Sequence, residues 1–198
     1  MNAGWFALAA VGAVILGLSV AGALGPVITP AEQRTFRAIN GLPEWLYYPL
    51  WPPMQLGNLV VGTVVGLLAA LAYGNVVMAV GVIVATALKL VGERVVRHRM
   101  AEHLAVRQRP GTSEPGAVLR GDVPSSGPSF PSGHVILVAA VGSVVVPALP
   151  IAWWWLPLLL TLLVMLGRVY VAAHNPLDVT AGLGAGLVVG GVIAVFVR

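Results

Sequence analysis

The sequence contains no cysteine, which excludes disulfides, thiolate metal sites and thiol catalysis. It is also poor in charge, at 9% of 198 residues against 58% hydrophobic. So little charge cannot cover an ordinary soluble surface, and the apolar runs reach the roughly 18–20 residues a spanning helix needs. Lysine is almost missing, with Lys89 the single example, and acids are scarce, 7 against 11 Lys and Arg. The net charge of +4 would suit nucleic acid if the basic residues formed a stripe on a soluble surface. They cluster between hydrophobic runs instead. No nucleic-acid partner is therefore expected; anionic headgroups or phosphates at a bilayer surface are. The preference for arginine, with the Ala, Val and Gly bias, fits a GC-rich bacterial genome and hence a bacterial inner or plasma membrane.

What is abundant is apolar sequence, and its punctuation predicts one all-α domain over 1–198. Six spans are expected at about 4–24, 56–73, 75–93, 133–149, 151–172 and 177–197. The fold class is thus a six-transmembrane-helix bundle with an interfacial helix between helices 1 and 2. The first run, from Trp5 to Leu24, is too long for a signal-peptide core and lacks a basic start, so it is read as a retained helix. Two connections, at Tyr73-Gly74-Asn75 and Pro147 to Pro150, are tight turns, while two others are long. Counting sides from helix 1 brings the 94–134 and 168–178 segments to one face.

The first long loop carries its own helix signal. Thr29-Pro30-Ala31-Glu32 reads as a capping box with proline at the first helical position, and Gly41 with Pro43 ends it. Phe36 and Ile39 share a face that Arg34 and Arg37 do not, as on a helix lying in the interface. Trp45, Tyr47, Tyr48 and Trp51 follow as interfacial anchors. Glycine ridges at Gly62/Gly66 and Gly182/Gly186/Gly190 let helix backbones approach closely. They are read as intramolecular packing, with a homodimer through these faces as the other use. No long internal repeat is visible, which argues against an inverted-repeat transporter.

Two polar clusters interrupt this apolar text. Pro131-Ser132-Gly133-His134 falls where a loop becomes a helix, so its N–H groups are free donors for an anion and Gly133 permits close approach. Ser132 either caps that helix or donates to a phosphate oxygen, and His134 can protonate a leaving oxygen. Arg168 ends one span with a fork suited to phosphate. His174 precedes the Asn175-Pro176 helix start, and Asp178 in its first turn can accept the imidazole N–H. That is the orienting half of a triad with histidine as the attacking group.

These residues resemble the type 2 phosphatidic-acid phosphatase superfamily of integral-membrane lipid phosphatases. Its three motifs are a lysine seven residues before Arg-Pro, then Pro-Ser-Gly-His, then Ser-Arg-x5-His-x3-Asp. The second matches completely at 131–134; the third matches at Arg168, His174 and Asp178, with Gly167 in place of serine. The resemblance implies His174 as nucleophile forming a phosphohistidine and Asp178 orienting it. It also implies His134 as general acid and Ser132, Gly133 and Arg168 as phosphate ligands, with neither metal nor cofactor. The first motif departs from the pattern. Arg109-Pro110 supplies Arg-Pro, but Glu102 stands where lysine belongs. Lys89 lies about 30 Å from Arg109 along a continuous helix, too far unless the segment folds back. It could also pair with Glu93 one turn on. Arg97 is the favoured replacement, with Arg94 as a further candidate; Arg120 and Asp122 are left as possible gating residues.

The expected function is hydrolysis of a lipid phosphate monoester or diphosphate: phosphatidic acid, phosphatidylglycerol phosphate or a polyprenyl phosphate. The alternatives are a lipid phosphotransferase with the same site, and a non-catalytic lipid-phosphate binding or transport protein. The side of the membrane stays open. The arginine-rich face points to the cytoplasm by the positive-inside rule, whereas many bacterial relatives of the resembled family work on the outer face.

Overall fold

The computed structural model describes residues 2–25, 28–103 and 107–197; for Asn2, Arg97 and 99–103 it describes the backbone alone. Among the described residues the secondary structure is helical. The elements are α1 (Asn2–Ala23), α2 (Pro30–Asn40), α3 (Tyr47–Gln55), α4 (Leu59–Ala72), α5 (Val76–His103), the single turn α6 (Pro110–Ser113), α7 (Gly133–Val145), α8 (Trp155–Tyr170) and α9 (Pro176–Ala194). Four of the described helical stretches are long and apolar enough to cross a membrane: Ala3–Ala23, Val76–Val96, Ile151–Tyr170 and Pro176–Ala194. A fifth arises if Glu44–Gln55 and Leu59–Ala72, bent by 60° at their break, count as one span.

The six expected spans are therefore four or five by length and composition. The shortfall lies in α4 and α7, the two short apolar helices. α7 is buried along nearly its whole length and packs on α4, α5, α8 and α9. A helix enclosed by protein on every side can be shorter than the bilayer is thick, because its ends find protein partners. Elsewhere α5 runs about ten residues past its expected end, and α3 occupies what read as an aromatic loop. Trp45, Tyr48 and Trp51 are all exposed, Trp45 in the turn before α3 and the other two on it.

Small residues set how closely the centre packs. A Cβ on Gly186 would stand 2.7 Å from Ile136 O of α7, and one on Gly184 would stand 2.7 Å from Gly12 O of α1. So α9 presents one glycine ridge to α7 and another to α1. A Cβ on Gly66 would likewise meet Val141 and Val82. Both ridges foreseen in the sequence are thus occupied by contacts within the chain, with van der Waals packing as the glue.

The helix α2 begins as its sequence suggests: the Thr29 hydroxyl accepts the Glu32 N–H at 3.2 Å. The reciprocal half of the capping box is not used, because the Glu32 side chain turns inward. Phe36 is buried among Val135, Val138, Val164, Val169 and Val179, worth about 2–3 kcal/mol by apolar burial. Asn40 accepts the Val118 N–H and donates to the carbonyls of Val118 and Tyr170. These contacts fasten α2 across the ends of α8 and α9. The result is a roof over the polar end of the bundle.

Candidate active site

The polar end is built where four chain segments meet. The return after α5 runs antiparallel to the segment before α7. Arg109 N donates to Gly127 O, Ser129 N donates to Arg107 O, and Gln108 bridges Pro128. Ser132 N then donates to Asp178 O at 2.9 Å, tying the start of α7 to the first turn of α9. Arg109 Nη1 donates to Ala173 O at 2.9 Å. The 94–134 and 168–178 segments thus meet, as the side count requires.

Between α8 and α9 the chain makes a tight reversal in which Ala173 N and His174 N both donate to Arg168 O. Ala172 sits there at φ 61°, the left-handed region that an L-residue enters at a cost of order 1 kcal/mol. The strain is held by burial, Ala172 and Ala173 being fully enclosed. This reversal aims His174 back over the end of α8.

His174 is oriented differently from expectation. Its Nδ1 lies 2.8 Å from Ser129 O, while the Asp178 carboxylate is 3.8 Å away, beyond hydrogen-bond reach. A carbonyl only accepts, so Nδ1 carries the proton and Nε2 is left with its lone pair. Asp178 is otherwise engaged: Oδ2 accepts Asn175 N at 2.8 Å, and Oδ1 accepts Arg107 Nε at 3.2 Å. Burial pushes the His174 pKa below the ordinary histidine value; Arg168 and Arg109 push the same way, and Asp178 opposes them. A neutral imidazole with a free Nε2 is the form a nucleophile needs.

Around it lie donors without partners. Ser132 does not cap α7; its hydroxyl is fully buried and unsatisfied, as is Arg168 Nε. Buried donors left unmade are costly, by roughly 1–3 kcal/mol each. His134 follows at the second position of α7, within the fields of Arg168, His174, Lys89 and Arg109. The bend between α3 and α4 presses on it, since a Cβ on Gly57 would stand 2.6 Å from His134 Cβ. Gly133 lies against the ends of two α5 side chains, since a Cβ there would overlap the Glu93 carboxylate and approach Lys89 Cε to 3.1 Å.

That last contact bears on the first motif. Lys89 stands beside Gly133 and pairs with Glu93 at 3.0 Å. The separation counted along a straight helix does not apply, because the chain turns back after α5 to deliver Arg109. The side chain of Arg97, the favoured replacement, lies outside the described residues. Arg120 lies between α2 and α8. It stacks on Tyr170 at 4.2 Å and donates to the carbonyls of Asn40, Leu42 and Tyr170, bracketing α2 to α8.

One residue escaped the sequence reading altogether. Arg107 is fully buried; its Nη2 meets Glu32 Oε1 at 2.5 Å and its Nε meets Asp178. The Glu32 carboxylate also accepts Leu177 N at 3.0 Å. The only local signal was scarcity: with so few acids, a buried one must find a base, but nothing in the spacing says which.

The family model described as the PAP2 superfamily matches residues 69–198. No curated protein matches the sequence. Among solved structures, LpxE of Aquifex aeolicus is similar with a TM-score of 0.68 at 22% identity, over 81% of this chain and 92% of that one. A transmembrane PAP2-type phosphatidylglycerolphosphate phosphatase from Bacillus subtilis is similar with a TM-score of 0.63 at 21% identity, over 98% and 94%. At these identities the likeness is one of fold.

Proposed function

Because the chain belongs to the PAP2 superfamily, we propose that it is a membrane lipid phosphatase working through a phosphohistidine on His174. The observation that carries this reading is the tied imidazole: Nδ1 is held by Ser129 O, and buried unpartnered donors stand nearby. Arg109, Arg168, Lys89, the Ser132 hydroxyl and the first N–H groups of α7 hold the non-bridging phosphate oxygens. His174 Nε2 bonds to phosphorus as the bond to the lipid oxygen breaks, and His134 gives its proton to that oxygen. Water then loses a proton to His134 and bonds to phosphorus as the P–N bond breaks, releasing inorganic phosphate and neutral His174. Positioning and fixed positive charge supply the catalysis, without metal or cofactor.

The protein is a multi-pass membrane protein, and its charged end suits a headgroup whose tail stays in the bilayer. We place it in a bacterial plasma membrane as one domain of six crossings, with α4 and α7 as short ones, α7 enclosed by its neighbours, and α2 along the interface. The test is phosphate release from a panel of phosphatidic acid, phosphatidylglycerol phosphate, polyprenyl diphosphate and polyprenyl-phosphoribose phosphate, in EDTA. Brief incubation with labelled substrate should trap an acid-labile phosphoprotein. No release from any member, or release without the trapped species, sinks the reading; product analysis with alcohol acceptors separates hydrolysis from transfer.

A further inference from the structure

Arg107 joins both groups that face His174 Nδ1. Its backbone carbonyl accepts the Ser129 N–H at 3.0 Å and the Ser129 hydroxyl at 3.2 Å, fixing the residue whose carbonyl takes the imidazole proton. Its side chain holds Asp178 through Nε and Glu32 through Nη2. Glu32 comes from α2, the helix outside the bundle, and also accepts the Leu177 N–H in the first turn of α9. All three charged side chains are almost wholly buried. Two carboxylates and one guanidinium leave one net negative charge behind the histidine.

We propose that Arg107 and Glu32 are positioning residues for His174: the guanidinium holds Asp178 short of the imidazole, and Glu32 sets the charge of that pair. The proposal rests on His174 being the nucleophile. Held at 3.8 Å, the carboxylate cannot compete with Ser129 O for the Nδ1 proton. Its charge still favours the imidazolium that develops as Nε2 bonds to phosphorus. The guanidinium is suited to this because its fork reaches two separate carboxylates at once, which an ammonium does not. Burial raises the Glu32 pKa above the ordinary glutamate value, against the lowering by its hydrogen bond to Leu177 and by Arg107.

The charged and titratable groups that act on His174 are Asp178 from α9, Arg168 from α8, Arg109 from the return segment and His134 from α7, with Arg107 reaching it through Asp178. Glu32 from α2 and the Lys89–Glu93 pair from α5 stand behind them. Against this background the two substitutions have opposite signs. Arg107→Gln removes the charge that restrains Asp178, so His174 should titrate about half a unit to one unit higher. Glu32→Gln keeps an acceptor for Arg107 and Leu177 but leaves the pair neutral, so His174 should titrate lower by a similar amount.

The titration is read directly from ¹⁵N-histidine spectra of the full chain in micelles, with His174→Ala assigning the resonance, so it requires no turnover. In parallel, kcat/KM of Arg107→Gln should fall about 10²-fold with KM nearly unchanged, and Arg107→Lys should restore only part of it. Opposite shifts in the two variants support the proposal. Shifts of the same sign, or none in folded protein, overturn it. If Arg107→Gln does not fold, a downward shift in Glu32→Gln still supports the proposal, and an unmoved or raised His174 in that variant overturns it. A wild-type chain that releases no phosphate overturns the proposed function instead, and the titration shifts still stand as a separate result.

Discussion

The two ends of α9 solve opposite problems. At its N-terminal end Asn175, Asp178, Arg107, Ser132 and Glu32 are buried polar groups in contact with segments far away in sequence. Towards its C-terminal end a cavity of about 1110 Å³ opens between α1, α7, α8 and α9, lined by apolar residues such as Trp5, Leu8, Leu158 and Leu187. Ser143 and Thr161 also line that cavity, yet each donates only to the carbonyl four residues back in its own helix. One end uses long-range polar contacts that specify geometry; at the other, Ser143 and Thr161 keep their hydrogen bonds local. Precision in this fold is concentrated where charge is buried.

That contrast can be broken most directly at His174. His174→Ala should abolish phosphate release, by at least about 10³-fold, while leaving the thermal unfolding midpoint within a few degrees. Retained turnover would move the chemistry elsewhere. Ser132→Ala should cost about 10- to 100-fold in kcat, because an unpartnered buried donor contributes only when the phosphoryl group is present. Since that hydroxyl caps nothing, stability should not fall with it; a large loss of stability would make Ser132 a structural residue.

A smaller effect sharpens the comparison through pH. Burial, Arg168 and Arg109 lower the His174 pKa, so neutral His174 persists below the usual histidine value. On acidification, protonation of His174 should therefore depress kcat/KM only below about pH 6.5. An acidic limb centred above that value would mean that Asp178 outweighs burial. Least of all should happen at the other end of α9. Thr161→Val removes a hydroxyl bonded within its own helix, so activity should stay within about twofold and stability within about 1 kcal/mol. A tenfold loss there would connect the cavity to the chemistry.

Much of this was legible in the sequence for local reasons. Asn175-Pro176 and Pro131-Ser132-Gly133 announce helix starts, glycine spacing announces close helix contacts, and counting loops brings 94–134 and 168–178 together. The aromatic stretch was read only as anchors in a long loop, yet α3 forms there, with Pro52 and Pro53 inside it. Glu32 misled because a capping box and a buried ion pair begin with the same letters, Thr29 through Glu32.

By itself, the sequence determined which polar residues stand at helix ends on one side of an apolar chain, since capping and periodicity are properties of neighbours. Only the tertiary structure decided that Ser129 O, not Asp178, takes the His174 proton. It also decided that Lys89 stands beside Gly133 and that Arg107 bridges Glu32 to Asp178 across 75 and 71 positions. The reason is physical. A buried charge takes whichever partner packing brings within reach, and spacing along the chain does not encode that distance.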